Sequence, residues 1–207
     1  IVNSLVFKRE MDKKFNVNSK LILNPFDFAF IKKKSNEKLN NSLFKNKKLK
    51  IINIGRFTDQ KDQISLIKAA QLALKKIDLK LFIIGKGVLE ENMRKYIKNN
   101  NLSKHIHIIG YKENPFKYIK KADIFVLTSK FEGSPNVLVE SQILKKYIIS
   151  TDCPTGPREI LQNGNLGSLV KMGDYKSISK ILINFNKKNN FNKINIEYNF
   201  AKKKYDH

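Results

Sequence analysis

Two carboxylates, Glu132 and Glu140, stand with seven residues between them in the stretch Ser129-Lys-Phe-Glu-Gly-Ser-Pro-Asn-Val-Leu-Val-Glu140. Gly133-Ser134-Pro135, between them, reads as the start of a helix. Ser134 suits the N-cap, where a hydroxyl accepts from an unpaired backbone N–H. Pro135 suits the first helical position, where a missing N–H costs nothing. Glu132 then lies in the loop and Glu140 in the second turn. The helix end through Asn136 and Val137 offers N–H donors and a positive dipole end, which suit a phosphate. Two carboxylates flanking such an end fit a nucleotide-sugar. One would hold sugar hydroxyls and the other ribose hydroxyls.

A second group is Gly55-Arg-Phe-Thr-Asp-Gln-Lys61. Gly55 allows a tight turn after a strand. Arg56 and Lys61 can reach one anion, Arg as a fork and Lys as a point charge. Taken alone, they are equally two solvated cations of a very basic chain. Gly85-Lys-Gly87 lacks the third glycine of a dinucleotide fingerprint and is read as a shaped strand-to-helix loop. Ile109-Gly110-Tyr111 closes a further strand. His105 and His107 share a strand face with no third ligand type nearby, so no metal site is expected. Cys153 follows an apolar run and is read as a small packing residue. In Thr151-Asp-Cys-Pro-Thr-Gly-Pro-Arg-Glu-Ile-Leu161, two prolines and a glycine fix a loop before a short helix. Arg158 and Glu159 there either approach a ligand or serve in capping and salt bridges.

The elements that must hold these residues follow from periodicity. Strands are expected at 49–54, 79–84, 106–109, 122–127, 147–150 and 168–170. Helices are expected at 62–76, 88–99, after Asn114, after Ser134, at 157–162, 174–185 and 196–205. Strand–helix alternation predicts a Rossmann-like, doubly wound parallel α/β sheet. The candidate residues fall in five strand-exit loops, at the edge where such sheets bind ligands. Residues 1–48 differ: Leu21 to Asp27 reads as a short strand ending at an Asn-Pro turn, and Lys32 to Lys48 as a polar surface connector. Asn186 to Asn195 reads as a loop.

The chain has 207 residues, room for one good-sized domain or a domain and a fragment. It starts without Met and without a signal-peptide layout, and is expected to be a piece of a longer protein. It has no apolar run long enough for a membrane span. One cysteine excludes an intrachain disulfide and fits a reducing cytoplasm. The net charge of +23 comes almost wholly from Lys, with Arg only at 9, 56, 94 and 158. The Lys are scattered among Asn and Ile, which argues against a built nucleic-acid surface. A basic face could still draw the protein to an anionic membrane.

With its surrounding residues, the Glu-x7-Glu stretch resembles the motif of retaining glycosyltransferases of the GT-B fold, in particular family 4. The match covers residues 50–175 well and 15–50 loosely, with Arg56, Lys61, Glu132, Gly133 and Glu140 matching residue for residue. The resemblance implies a C-terminal donor-binding domain at 49–185, a closing loop and helix at 186–207, and the end of an acceptor domain plus linker at 1–48. The rest of that acceptor domain departs from the pattern by being absent. The resemblance assigns Arg56, Lys61 and Glu132 to catalysis. It assigns Gly55, Gly110, Tyr111, Gly133, Ser134, Pro135, Asn136, Val137 and Glu140 to a nucleotide-sugar, UDP-linked by analogy, with no metal or other cofactor. The segment at 151–161 is similar to one in bacterial enzymes that use UDP-linked N-acetylhexosamines. The implied reaction moves a hexose or N-acetylhexosamine to a glycan or lipid-linked acceptor in polysaccharide synthesis, in the cytoplasm or at the inner face of the membrane. Without the acceptor domain the chain alone is expected to be inactive. The alternatives are a UDP-sugar epimerase on the same scaffold and a basic nucleic-acid-binding module.

Overall fold

The computed structural model describes residues 1–39, 42–45 and 47–206. Six strands form one parallel sheet: β1 (Leu49–Ile54), β2 (Leu79–Ile84), β3 (Ile106–Ile108), β4 (Ile124–Leu127), β5 (Tyr147–Thr151) and β6 (Ser168–Val170). Their spatial order is β3-β2-β1-β4-β5-β6, with every neighbouring pair parallel. The order reverses between β1 and β4, and a crevice opens at such a point beyond the strand ends. This is the Rossmann-like sheet expected from the alternation.

Successive strand residues point to opposite faces, and both faces are buried. Ile51, Leu81, Ile83, Ile124, Val126 and Ile149 pack under α3 (Gln63–Ala73), α4 (Glu90–Asn99) and α8 (Tyr175–Asn184). Ile52, Phe82, Ile84, Phe125, Leu127 and Ile148 pack on the other face. That face is covered by α2 (Phe28–Ser35), α5 (Phe116–Lys121), α6 (Asn136–Ile143) and α9 (Phe191–Tyr205). Both faces need apolar side chains, so the strands read as nearly continuous apolar runs.

Three local expectations are corrected. Residues 21–27 form no strand; Leu21 makes only an isolated bridge to Val2, because no neighbouring strand continues the ladder. The stretch read as a connector from Lys32 contains the end of α2 and a short turn at Ser42–Phe44. Phe44 is buried there, stacked on Phe82 at 3.8 Å. Asn40, Asn41 and Asn46 of that stretch, and His207 of the C-terminal segment, lie outside the described residues. The closing helix α9 starts at Phe191, inside the stretch read as a loop, because Ile194, Glu197, Ala201 and Tyr205 share one buried stripe. A further helix, α1 (Leu5–Phe15), buries none of its own residues.

Candidate functional site

The loops leaving β1 and β4 meet at the reversal point of the sheet. After β1, Asp59–Lys61 make a 3-10 turn. Its backbone is stapled to the β4 loop: Lys130 N–H donates to Gln60 O at 2.8 Å, and Gln60 Nε2 donates to Phe131 O at 2.9 Å. Thr128 Oγ1 donates to Lys61 O at 2.9 Å. Lys61 Nζ then lies 2.5 Å from Glu132 Oε1, both side chains largely covered. Ser129 Oγ donates to the same oxygen, also at 2.5 Å. Among the described residues Glu132 Oε2 has no protein partner, so it is open to a ligand hydroxyl.

Arg56 is placed differently. It is exposed, and no carboxylate pairs with it among the described residues. With Gly55, Lys86, Tyr111 and Pro115 it lines a cleft of about 330 Å³ at the ends of β1 and β2. Tyr111 is largely exposed, and Lys86 Nζ stands 5.2 Å above its ring. Gly110, at φ +78°, turns the chain so that its carbonyl accepts from Gly85 N–H at 3.2 Å. A Cβ on Gly85 would lie 1.9 Å from Gly55 O, so the β1 and β2 exits touch backbone to backbone. This supports the loop-shaping reading of Gly85-Lys-Gly87.

The start of α6 is corrected by one residue. Pro135, with ψ 100°, occupies the cap position, and no side chain caps the helix. Ser134 therefore lies outside the helix, and Asn136 and Val137 fill its first positions. The Leu138 N–H bonds Pro135 O at 3.0 Å. The amides of Asn136 and Val137 precede any helical acceptor and stay available to an anion. Gly133 is exposed, with open space beside its Cα. Glu140 sits in the second turn, as expected, and burial pushes its pKa up to about 7.

The β5 loop closes the site from the far side. Thr155 Oγ1 donates to Glu132 O, and Gly156 abuts Gly133 and Pro135. Arg158 pairs with Asp152, and Glu159 accepts from Ser4 and Leu5, so both serve in capping and salt bridges. The Cys153 thiol is pushed up to about 11 by burial and then by the Glu132 charge, which fits a packing residue. His105 approaches Asp78 at 3.8 Å, and His107 is half-buried against Phe82, away from this crevice. Among the described residues, no group of three or more His, Cys, Asp or Glu is placed to hold a metal.

The structure thus joins Lys61 to Glu132, places both beside the start of α6, and sets Arg56 with Gly55 and Tyr111 in the neighbouring cleft, with Gly110 in the turn just before Tyr111. Sequence reasoning assigned no role to Ser129, Thr155 or Lys86. Ser129 carried one usable signal, a hydroxyl three residues before Glu132 at a strand exit.

The family described as "Glycosyl transferases group 1" matches residues 34–202, and the chain belongs to it. An uncharacterized glycosyltransferase of Methanocaldococcus jannaschii is 37% identical over 153 residues, 72% of this chain and 37% of that protein. The N-acetylgalactosamine-N,N'-diacetylbacillosaminyl-diphospho-undecaprenol 4-alpha-N-acetylgalactosaminyltransferase of Campylobacter jejuni is 37% identical over 128 residues, 62% of this chain and 34% of that protein. The chain therefore spans little more than a third of the curated relatives it matches. A mutant of TarM from S. aureus, solved with Fondaparinux, alpha-GlcNAc-glycerol and UDP, superposes with TM-score 0.85 at 21% identity. That match covers 99% of this chain and 40% of the TarM chain. The pneumococcal O-GlcNAc transferase GtfA, solved with UDP and GlcNAc, superposes with TM-score 0.79 at 20% identity, covering 99% and 41%. At these identities the superpositions establish the shared fold.

Proposed function

We propose that the chain is the C-terminal, donor-binding half of a retaining GT-B glycosyltransferase of family 4, acting on a UDP-linked hexose or N-acetylhexosamine. The observation that carries this reading is the Lys61–Glu132 pair across the sheet reversal, beside the open start of α6. An ammonium has three donors. One goes to Glu132, leaving others for donor phosphate oxygens. Arg56 and the Asn136 and Val137 amides complete a positive cradle for the departing diphosphate, where preorganised donors lower the barrier most.

Glu132, tied to Lys61 and Ser129 through Oε1, keeps Oε2 for a sugar hydroxyl. Held by two donors on one oxygen, the carboxylate is positioned to orient the sugar. Glu140 holds the ribose hydroxyls. The cleft beside Gly110 and Tyr111 takes the base. The acceptor, a glycan or lipid-linked sugar, binds a preceding domain, for which the exposed apolar residues Phe7, Phe15, Val17 and Ile22 offer a packing surface. Its relatives' names, and UDP in the superposed structures, support this donor class.

Calorimetric titration of the chain with UDP tests the reading. Binding that weakens in Glu140→Ala supports it. An absence of binding by folded chain, both alone and with its preceding domain restored, overturns it.

A further inference from the structure

The N-terminal segment reaches both loops that wall the candidate donor site. Ser4 is buried and caps α1, accepting from Phe7 N–H at 3.4 Å. Its hydroxyl donates to Glu159 Oε2 at 3.1 Å, and the Leu5 N–H donates to the same oxygen at 3.0 Å. Glu159 comes from α7 (Pro157–Ile160), 155 positions from Ser4, and its other oxygen stands 3.5 Å from Lys204 Nζ at the end of α9. Its charge adds to burial in raising the Tyr205 pKa. One carboxylate therefore meets the first turn of α1, the last turn of α9 and the β5 loop. Next to Ser4, Asn3 Nδ2 donates to Asn24 Oδ1 at 3.2 Å, and Asn24 Nδ2 donates to Asn136 Oδ1 at 2.5 Å. Asn136 is the first residue of α6, whose amide is offered to the donor phosphates.

The physical case for a brace is strong because α1 buries none of its own side chains. Its start is held by Val2, which is buried and bonded through its backbone to Lys20 and Ile22, together with the polar contacts at residues 3–5. A carboxylate at a helix N-terminus is favoured by both the unpaired N–H groups and the dipole. Force on that contact passes to the 152–159 loop, where Thr155 and Gly156 lie against the backbone of Glu132 and Gly133.

We propose that Glu159 is a positioning residue: by pinning residues 4–5 to the β5 loop, it fixes the Glu132 loop and the first turn of α6 for donor phosphates. This rests on the donor-binding function proposed above. The test titrates UDP into wild-type chain, Glu159→Ala, Glu159→Gln, Ser4→Ala and the Ser4→Ala/Glu159→Ala double variant. Hydrogen exchange at the non-proline amides of residues 132–137 and 152–156 is followed in parallel. Glu159→Ala is expected to weaken UDP binding by at least about tenfold, since small misplacements of a binding group are costly. Glu159→Gln, which keeps an oxygen acceptor for Ser4 and Leu5, restores most of it. The double variant is no weaker than Glu159→Ala, as expected for two partners in one interaction. Exchange at both loops quickens in Glu159→Ala and in Ser4→Ala.

Wild-type UDP affinity in Glu159→Ala, or equal losses in Glu159→Gln and Glu159→Ala with an additive Ser4→Ala, overturns the proposal. If Glu159→Ala does not fold, Ser4→Ala decides by the same two readouts. If wild-type chain does not bind UDP, that result counts against the function alone. Unchanged loop exchange in both variants then overturns the brace.

Discussion

Lys61 Nζ stands 2.5 Å from Glu132 Oε1 across the point where the strand order reverses, although 71 positions separate them in the chain. The pair couples the charge that would face the donor phosphates to the carboxylate that would face the donor sugar. Lys61→Met leaves Glu132 covered and without its counter-ion, which costs stability on the order of 3 kcal/mol. Adding Glu132→Gln to Lys61→Met recovers much of that loss. Chemical denaturation of the three variants measures the effect. In the complete enzyme Arg56→Ala lowers turnover by about a hundredfold or more, as for loss of an oxyanion-type donor. Steady-state kinetics at saturating donor checks this.

Glu140 gives a pH dependence with a defined sign. Burial raises its pKa to about 7, so it is largely neutral below that value. The ionised form makes the stronger bonds to ribose hydroxyls. UDP affinity should therefore tighten as pH rises through about 7, and Glu140→Gln should flatten that part of the profile. The nucleotide's own phosphate ionisation, at about 6, is common to both proteins and cancels in the comparison.

Glu197 predicts a stability effect far from the site. It is fully buried, neither oxygen has a hydrogen-bond partner among the described residues, and burial raises its pKa to about 9 against the opposing charge of Lys193. The folded-state pKa is above the ordinary 4.5, so the folded chain holds the extra proton. Its contribution is fully present below about 4.5 and is lost as pH rises through about 9. The slope approaches about 1.4 kcal/mol per pH unit inside that window. Glu197→Gln removes the slope, which urea denaturation at several pH values will show.

Gly156 tests the closing of the site by the β5 loop. It has φ +74°, and a Cβ there would stand 2.3 Å from Gly133 O and 2.6 Å from Pro135 Cδ. Gly173 has nearly the same φ, +73°, with open space around it. Gly173→Ala therefore reports backbone strain alone, about 1 kcal/mol. Gly156→Ala is expected to lose more stability and also UDP affinity, as measured by thermal melts and calorimetry.

The sheet was legible because its central strands β1, β2, β4 and β5 bury both faces and so appear as apolar runs, while the short edge strands β3 and β6 are only partly buried. The strand-exit loops were legible for the same reason, since Gly55, Gly85 and Gly110 end those runs. Less was readable in the first 48 residues, where Lys and Asn dilute every pattern. Phe44 gave no periodic signal, and Leu21 to Leu23 looked like a strand without a partner to pair with. Within the site, Glu140 was placed by helix geometry alone. The cap was expected at Ser134 and lies at Pro135, because a Ser-Pro pair allows either start. The Lys61–Glu132 pairing was out of reach, because residue types show which groups can pair but not which loops meet.

The most direct test is to follow the backbone amides of isotopically labelled chain by NMR during UDP titration. Saturable shifts should concentrate at Asn136, Val137, Arg56, Gly110 and Tyr111, the two sides of the reversal point. Shifts confined to lysine-rich surfaces such as Lys32–Lys34 or Lys202–Lys204, with α6 unmoved, would contradict a donor site at this crevice.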